Sequence, residues 1–420
     1  MIEKIVVRQS KLEGKVVLSG AKNSALRLLA ASLLTDEDIY IDNFPSGITD
    51  AQLHIRMLEK LGKKCVTYNS SVVITCDNPL KEVLIWQDRS IRNTLLIFGA
   101  LLARLGKAKV PLPGGCAIGE RKYDIHQMLL EKLGAKVWEA DGYLFGDAPN
   151  GLDGTDVVLP IRSTGATENG IITGCLSRGT TVVWNPHIRP EILDLIDYLR
   201  SMGAMIEVRG NESIRIQGVG KLKGTKHSVI PDNMEALTYF IATVITNGDV
   251  EIENFPFSHL EVPLIHLRES GAKFYKGGNS LIIRGGECYP VEISTGPYPG
   301  INSDMQPLFA VYAACARGQS KIVDLRFQDR FGYAQELSKM GADVRVVNNL
   351  LVINGGKELQ GAHVNALDLR CGASLVLAGL VAKGYTLISG FEQVRRGYED
   401  IEHKLSAIKG NIDTSSQTLP

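Results

Sequence analysis

A short amphipathic segment that ends in glycine recurs along the chain. In its second copy the apolar residues Ile125, Leu129 and Leu133 lie four positions apart, which places them on one face of a helix. A glycine just after the last turn is a typical helix terminus, because glycine tolerates the left-handed conformation found there. The pattern therefore predicts six amphipathic helices, within MLEKLGKK, LLEKLGAK, YLRSMGAM, HLRESGAK, ELSKMGAD and LSAIKGNI.

The spacing of these segments predicts a repeat. Their glycines lie 68 to 72 residues apart, at Gly62, Gly134, Gly203, Gly271, Gly341 and Gly410. Each interval also holds a helix rich in small apolar residues (such as KNSALRLLAASLL, RNTLLIFGALLARLG, ATENGIITGCLSRG or MEALTYFIATVITNG). A β-branched run (TTVVWN, DVEIEN) and two short strands (AKVWEA, YLFGDA) complete the interval. One such unit cannot bury its apolar faces alone, so we expect units to pack together in domains.

The repeat indicates an α/β protein of two closed domains with three units each. An open solenoid would need polar capping units at its ends, and none is visible. For a chain of 420 residues, two domains agree with the usual domain size. A cleft between two such domains is the expected binding site.

Composition narrows the function classes. The chain has 46 basic and 46 acidic residues, so we expect neither nucleic acid nor an anionic membrane as a partner. No apolar stretch is long enough to span a membrane, and the start MIEKIVVRQSKLEG lacks the features of a signal peptide. The seven cysteines form no CxxC pair, which favours a reducing cytoplasm without structural zinc or disulfides. The eight histidines are isolated and a dinucleotide fingerprint is absent, so we expect no metal and no cofactor.

Candidate chemistry begins with a cysteine in a glycine-rich turn. The stretch PLPGGCAIGERKYDIH covers residues 111–126 and sets Cys116 among glycines, with Arg121 and Lys122 behind it. Glycines let a ligand approach the backbone, and nearby cations favour the reactive thiolate. We therefore interpret Cys116 as a reactive residue, whereas five other cysteines are expected to be small packing residues: Cys65, Cys76, Cys175, Cys288 and Cys315.

A second candidate is the aspartate of NSDMQ. Asp304 directly precedes the apolar stretch MQPLFAVYAACARG, where a carboxylate can cap a helix or serve as a base at a cleft edge. Both roles remain open from the residues alone. Asp232 and Asp368 occupy comparable positions in other repeats and are weaker candidates.

Six segments together resemble the enolpyruvyl transferases, over essentially the whole chain. They are LSGAKNSAL at 18–26, PLPGGCAIGER at 111–121, STGATEN at 163–169, SDMQ at 303–306, LDLRCGASLVLAGL at 367–380 and RRGYEDIEHKL at 395–405. The resemblance implies a two-lobed, inside-out α/β barrel of six repeats, with helices inside each lobe and sheets outside. It places lobe one at residues 22–230, with the Cys116 loop, and lobe two at 1–21 and 231–420, with Asp304 and Arg396.

The resemblance also implies a reaction. The enolpyruvyl group of phosphoenolpyruvate would move to the 3-hydroxyl of UDP-N-acetylglucosamine by addition and elimination, with release of phosphate, for peptidoglycan synthesis. The expected partners are these two substrates, and no protein partner is predicted. Cys116 would be the acid and Asp304 the base. The cations that would hold phosphoenolpyruvate are Lys22, Arg121 and Arg396, with Arg330 and Arg370 behind them.

Acceptor contacts are implied in the same way. They fall on Asn23, Arg92, Arg121, Lys122, Tyr123, Asp124, Ile125, Arg162, Ser163, Thr164, Gly165, Asp304 and Arg326. Several neighbouring positions depart from the pattern of the branch that acts on UDP-N-acetylglucosamine, among them Arg27, Lys122, Ile161, Arg189, Asn233 and Arg326. Three hypotheses therefore stay open: that acceptor, another nucleotide such as UMP in nucleoside-antibiotic synthesis, or a non-catalytic nucleotide-binding paralogue. A shikimate acceptor is a minor fourth.

Overall fold

The glycine-terminated segments form helices in a computed structural model, which describes residues 3–114, 122–327 and 329–414. The helices are α1 Lys22–Ala31, α2 Thr49–Lys60, α3 Thr94–Leu105, α4 Asp124–Lys132, α5 Thr164–Gly174, α6 Pro190–Ser201, α7 Asn233–Ile245, α8 Glu261–Glu269, α9 Gln306–Cys315, α10 Gly332–Lys339, α11 Leu369–Val381 and α12 Ile401–Ala407. Short 3-10 helices cover Ser32–Leu34, Phe257–His259 and Phe391–Arg396. The predicted amphipathic segments are α2, α4, α6, α8, α10 and α12.

The strands are short and alternate with these helices. They are β1 Lys4–Arg8, β2 Glu13–Val17, β3 Ile39–Asp42, β4 Lys63–Tyr68, β5 Ser71–Cys76, β6 Lys107–Pro111, β7 Lys136–Ala140, β8 Tyr143–Asp147, β9 Asp156–Val158, β10 Thr180–Trp184, β11 Met205–Arg209, β12 Ser213–Gln217, β13 Thr225–Ser228, β14 Asp249–Glu253, β15 Lys273–Lys276, β16 Ser280–Arg284, β17 Glu292–Ser294, β18 Gln319–Val323, β19 Asp343–Val347, β20 Leu350–Asn354, β21 His363–Asn365, β22 Tyr385–Ser389 and β23 Asn411–Asp413. The predicted strands AKVWEA, YLFGDA, TTVVWN and DVEIEN are confirmed as β7, β8, β10 and β14.

Five of the six predicted glycine terminators are confirmed, and one is wrong. Gly62, Gly134, Gly203, Gly271 and Gly341 have φ between 85° and 109°. At the sixth terminator, Lys409 takes the left-handed position instead, with φ 68°, and Gly410 follows it. The reason is local: α12 ends at Ala407, so one more residue separates its end from the glycine. The amide of Gly410 still bonds to the carbonyl of Leu405, at 2.8 Å.

The sheets share one arrangement of strands. In the described part of the chain the strand orders are β13-β3-β5-β4, β6-β8-β7, β9-β10-β12-β11, β2-β14-β16-β15, β17-β18-β20-β19 and β21-β22-β1-β23. In the four-stranded sheets a parallel edge strand is followed by an antiparallel hairpin, as β9 pairs with β10 and β10 with β12. In the last sheet β1 pairs with both β22 and β23, so strands from distant parts of the chain complete it.

The chain separates into two compact units. The first, here called the Lys22 unit, comprises residues 20–114 and 122–230; the second, the Asp304 unit, comprises 3–19, 231–327 and 329–414. The helices rich in small apolar residues (α1, α3 and α5; α7, α9 and α11) lie in the two cores. Small residues allow close packing: a Cβ at Gly99 of α3 would lie 1.8 Å from Oδ1 of Asn169 on α5. Among the described residues, the helices are too short or too polar to cross a membrane.

Candidate active site

Lys22 is a buried cation held by a carboxylate. It is the first residue of α1, and only 6% of it is exposed. Its Nζ donates to Oδ2 of Asp50 at 2.7 Å, while Oδ1 of Asp50 accepts from Nη2 of Arg89 at 3.0 Å. Asp50 lies in the first turn of α2, where the helix dipole favours a negative charge. The sequence reading missed Asp50 and Arg89, because no motif surrounds them.

Asn23 contacts Arg27, one of the arginines that depart from the family pattern. Nε of Arg27 donates to Oε1 of Glu168 at 2.6 Å, and its Nη1 donates to Oδ1 of Asn23 at 3.4 Å. Glu168 is buried on α5, and burial raises the pKa of its carboxyl although the charge of Arg27 opposes this. The arginine that sets this chain apart therefore has its own carboxylate partner.

Arg189 has a partner of the same kind. Its Nε and Nη2 donate to the two oxygens of Glu191, at 2.6 and 2.8 Å. Burial of Glu191 acts to raise the pKa of its carboxyl, but the guanidinium of Arg189 outweighs burial and lowers it. The sequence suggests extra positive charge at Arg27 and Arg189. In the structure each of these arginines forms an ion pair with a buried glutamate.

Residues 121–125 are the segment that the resemblance implies as the uridine-binding loop, and their described part is anchored at its start. Nη2 of Arg92 donates to the carbonyl of Lys122 at 2.6 Å, and the Tyr123 hydroxyl donates to Glu139. Burial and the charge of Glu139 raise the pKa of Tyr123 to about 12, so its phenol stays neutral. The next two residues open α4, with Asp124 exposed and Ile125 half-buried. Cys116 and Arg121 lie outside the described residues.

Residues 163–165, which the resemblance implies as a turn that binds the diphosphate of the acceptor (here called the diphosphate turn), form the start of α5. Ser163 is the N-cap, and its hydroxyl accepts from the amide of Ala166 at 3.4 Å. Thr164 Oγ1 lies 2.7 Å from Nδ1 of His187. Gly165 leaves room for a neighbouring ring, because a Cβ at this position would come 2.8 Å from Nε2 of His126 and the ring would have to shift. The turn can present amide N–H groups to an anion.

Two further predicted acceptor contacts, one in each unit, are exposed. Arg162 precedes the diphosphate turn, and its Nε donates to Oδ1 of Asn185 at 3.4 Å. Arg326, in the Asp304 unit, is exposed with its guanidinium 5.8 Å from the ring of Phe327. Neither arginine is buried as Lys22 is, and the two histidines beside the turn were not anticipated.

Asp304 is paired with arginines and does not cap a helix. Its Oδ1 accepts from Nη1 of Arg330 at 2.7 Å, and its Oδ2 lies 3.7 Å from Nε of Arg370. The capping role is therefore wrong for Asp304, since the N-cap of α9 is Met305. The third residue after Asp304 is Pro307, which has no N–H to donate.

The comparable aspartates do cap their helices. Oδ1 of Asp232 accepts from the amides two and three residues later, at 2.7 and 3.0 Å. Oδ1 of Asp368 makes the same two bonds, again at 2.7 and 3.0 Å. The three aspartates thus lie at similar points before their helices, but Asp232 and Asp368 cap those helices, whereas Asp304 forms ion pairs with Arg330 and Arg370.

Arg330, Arg370 and Arg396 are buried cations of the Asp304 unit. Only 2% of Arg370 is exposed, and its guanidinium lies 5.2 Å from the ring of Tyr398. Burial opposes the charge of Arg370, but Tyr398 and Asp304 outweigh burial and raise its pKa. Arg396 is 4% exposed and donates from Nη1 to Oε1 of Gln393 at 3.0 Å.

Some guanidinium nitrogens of this cluster lack a hydrogen-bond partner. Within the described residues these are Nε of Arg330 and Nε and Nη1 of Arg370. A buried N–H without a partner costs free energy, which an anionic ligand can recover. The described histidine, cysteine, aspartate and glutamate side chains form no group of three that could hold a metal ion.

Comparisons with known proteins agree on one family. The family described as EPSP synthase (3-phosphoshikimate 1-carboxyvinyltransferase) matches residues 6–405. A UDP-N-acetylglucosamine 1-carboxyvinyltransferase 1 of Caldanaerobacter subterraneus is 39% identical, over 98% of this chain and 99% of that protein. A UDP-N-acetylglucosamine 1-carboxyvinyltransferase 2 of Carboxydothermus hydrogenoformans is 40% identical, over 99% of this chain and 100% of that protein.

Solved structures share the fold. The enolpyruvyl transferase NikO from Streptomyces tendae superimposes with a TM-score of 0.89 at 23% identity, covering 98% of both chains. An EPSP synthase from Acinetobacter baumannii gives a TM-score of 0.73 at 18% identity, covering 98% of this chain and 99% of that one.

Proposed function

This chain belongs to the EPSP synthase family of carboxyvinyltransferases, and on that basis we propose that it transfers the enolpyruvyl group of phosphoenolpyruvate to the 3-hydroxyl of UDP-N-acetylglucosamine, releasing phosphate. The assignment of the acceptor rests on one observation: the chain matches relatives named for that substrate at about 40% identity over nearly its whole length. The product of this reaction is a precursor for peptidoglycan synthesis. The six cysteines among the described residues form no disulfide, which favours the cytoplasm as the location of the reaction.

The proposed architecture has six repeats, three in each of two inside-out lobes. Each repeat would combine one sheet, one buried helix and one amphipathic helix. The shared strand order of the sheets and the burial of α1, α3, α5, α7, α9 and α11 support it. We assign lobe one to residues 22–230 and lobe two to 1–21 and 231–420.

The proposed chemistry divides between an acid, a base and a set of cations. In the addition step Asp304 takes the proton of the acceptor hydroxyl, and Cys116 gives a proton to the methylene carbon of phosphoenolpyruvate. The acceptor oxygen bonds to the carbon that carries the phosphate. In the elimination step the methyl group returns a proton to the Cys116 thiolate, the double bond re-forms, and the bond from carbon to the phosphate oxygen breaks so that phosphate leaves with the proton held by Asp304. Lys22, Arg121 and Arg396 hold the phosphate and carboxylate of the donor, and Arg330 and Arg370 support them.

The structure weakens the two other hypotheses. A changed acceptor, such as UMP, was suggested by altered charge at positions including Arg27 and Arg189. Both arginines are matched by the buried carboxylates of Glu168 and Glu191. A non-catalytic paralogue would have no use for the buried guanidinium groups that surround Asp304.

An acceptor panel tests the proposal. Phosphate release from phosphoenolpyruvate is measured with UDP-N-acetylglucosamine, UMP or shikimate 3-phosphate, at one donor concentration. We expect release with the nucleotide sugar alone. Release with UMP alone would replace the proposed acceptor, and no release with any of them, while UDP-N-acetylglucosamine still binds, would favour the non-catalytic paralogue.

The role of Cys116 can be tested separately. By resemblance to the family, the Cys116 thiolate would also form a covalent adduct with phosphoenolpyruvate. Cys116→Ser is expected to abolish this adduct, and to slow turnover by about 10²-fold because a hydroxyl is a much weaker acid than a thiol. Adduct formation is followed by intact-protein mass spectrometry. Cys175→Ser, at a buried cysteine of the Lys22 unit, is the matched control and should label as the parent protein does. Unchanged labelling of Cys116→Ser would remove the cysteine from the mechanism.

A further inference from the structure

We propose that Asp324 is a positioning residue, which fixes Arg330 and, through it, Asp304; the inference rests on the function proposed above. Asp324 directly follows β18 and has no exposed surface. Within the described residues no basic side chain pairs with it. A buried carboxylate without a cation is costly, so its retention needs another reason.

The carboxylate is surrounded by hydrogen-bond donors. They are Thr295 Oγ1 at 2.8 Å, the amides of Arg326 at 2.8 Å and Phe327 at 3.0 Å, Gln306 Nε2 at 3.0 Å, and Ser303 Oγ. The first three bond to Oδ1 and the last two to Oδ2. All of these neighbours are donors in this arrangement, which only a group with two acceptor oxygens can satisfy.

The bond from Ser303 sets the direction of its hydroxyl. Serine has a single hydroxyl proton, which Ser303 uses to donate a hydrogen bond to Asp324. Ser303 Oγ therefore turns a lone pair toward Arg330 and accepts a hydrogen bond from its Nη1 at 3.1 Å. The same Nη1 donates to Oδ1 of Asp304 at 2.7 Å. Asp324, Ser303, Arg330 and Asp304 therefore form one polarised chain of hydrogen bonds.

Gln306 provides a second connection. Its Nε2 bonds both to Oδ2 of Asp324 and to the backbone carbonyl of Arg330, at 3.0 Å each. The hydroxyl of Tyr333 donates to its Oε1, which fixes the orientation of the amide. Asp324 thus restrains both the backbone and the guanidinium of Arg330.

This arrangement matters because Arg330 lies among several charges. Asp304, Asp368 and the guanidinium of Arg370 all act on it electrostatically. If Ser303 turned its proton toward Arg330, the guanidinium would lose an acceptor and could rotate away from Asp304. A small displacement of a reacting group can slow an enzyme strongly.

The kinetic test uses Asp324→Asn, Ser303→Ala and the double variant. Asparagine keeps the shape but places an NH₂ group against donors, so we expect kcat to fall about 10²-fold, with KM for phosphoenolpyruvate changed much less. Ser303→Ala should lower kcat in the same way, and the double variant should be no slower than the slower single one. In both single variants the acid limb of the pH profile of kcat/KM should move to higher pH. The reason is that a displaced Arg330 stabilises the charged form of Asp304 less, which raises the pKa of that carboxyl. Asp324→Glu should regain part of the rate.

Thr295→Val is the matched control. It removes another donor to Asp324, outside the path to Arg330, and should lower stability while keeping kcat and the pH profile near those of the parent. If Asp324→Asn behaves like Thr295→Val, Asp324 is only structural. The proposal would also be overturned if the rate losses of Asp324→Asn and Ser303→Ala multiplied in the double variant.

A second measurement does not depend on turnover. The midpoints of urea unfolding are compared for the parent, Ser303→Ala, Arg330→Gln and the variant that carries both substitutions. The same four proteins are then measured with Asp324→Asn added to each of them. We expect Ser303 and Arg330 to be coupled only when Asp324 is intact. If the parent releases no phosphate but this coupling is found, the proposed function fails and the positioning role stands. Equal coupling in both backgrounds would refute the role itself.

Discussion

Asp304→Asn is expected to slow phosphate release by roughly 10³-fold, because an amide cannot accept the proton of the acceptor hydroxyl. Binding of phosphoenolpyruvate should not weaken with it. The substitution removes a negative charge that lies 2.7 Å from Nη1 of Arg330 and 3.7 Å from Nε of Arg370, so the site becomes more positive toward an anion. We therefore expect KM for phosphoenolpyruvate to stay unchanged or to fall, measured by phosphate release at saturating acceptor.

Asp232→Asn is the matched control for this variant. Asp232 stands at the comparable point of another repeat and caps α7 through two backbone N–H groups. Asparagine caps a helix about as well as aspartate, so the control should keep its rate within a few-fold of the parent. Similar losses in the two variants would contradict the role of Asp304 as the base.

Lys22→Met is expected to reduce kcat/KM for phosphoenolpyruvate by about 10³-fold, since it removes a cation proposed to hold the donor. Methionine keeps most of the length and the apolar stem of lysine, so packing around α1 should change little. The variant also removes the ion pair of Lys22 with Asp50 and keeps that of Arg89 with Asp50, so we expect some loss of stability. Steady-state kinetics and thermal unfolding separate the two effects.

Lys404→Met distinguishes a binding role from a structural one. Lys404 is also largely buried and paired with a carboxylate, Glu235, at 2.6 Å. Glu235 is itself buried, and burial raises the pKa of its carboxyl to about 7 although Lys404 opposes this. Both lysine variants should lose stability, but Lys404→Met should retain kcat/KM. If the two variants lose catalysis to the same extent, Lys22 has no special part in donor binding.

The recurring amphipathic helices could be predicted because their pattern depends on neighbours in sequence. An amphipathic helix needs apolar residues three or four positions apart, and its terminator needs a residue that tolerates positive φ. Both requirements are met within about ten residues, so the pattern located α2, α4, α6, α8, α10 and α12. Gly410 shows the limit of this reasoning, because a shift of one residue in the end of α12 put Lys409 at the terminator instead.

The partners of the site residues could not be predicted in this way. Asp50 lies 28 residues from Lys22, and Glu168 lies 141 residues from Arg27. Asp324 precedes Arg330 by only six residues, but the serine that connects them lies 21 residues before Asp324. Charged residues at such separations carry no periodic signal, since many pairings are equally compatible with the sequence.

The sequence by itself therefore determined the α/β class, the helices with most of their glycine terminators, and, through its motifs, the family. Only the tertiary structure decided that Asp304 faces Arg330 and Arg370 while Asp232 and Asp368 cap helices, and that Arg27 is matched by the buried Glu168. The physical reason is the range of the interactions. Backbone conformation and helix amphipathicity follow from adjacent residues, whereas the state of a buried charge depends on whichever distant groups the folded chain brings within hydrogen-bond distance.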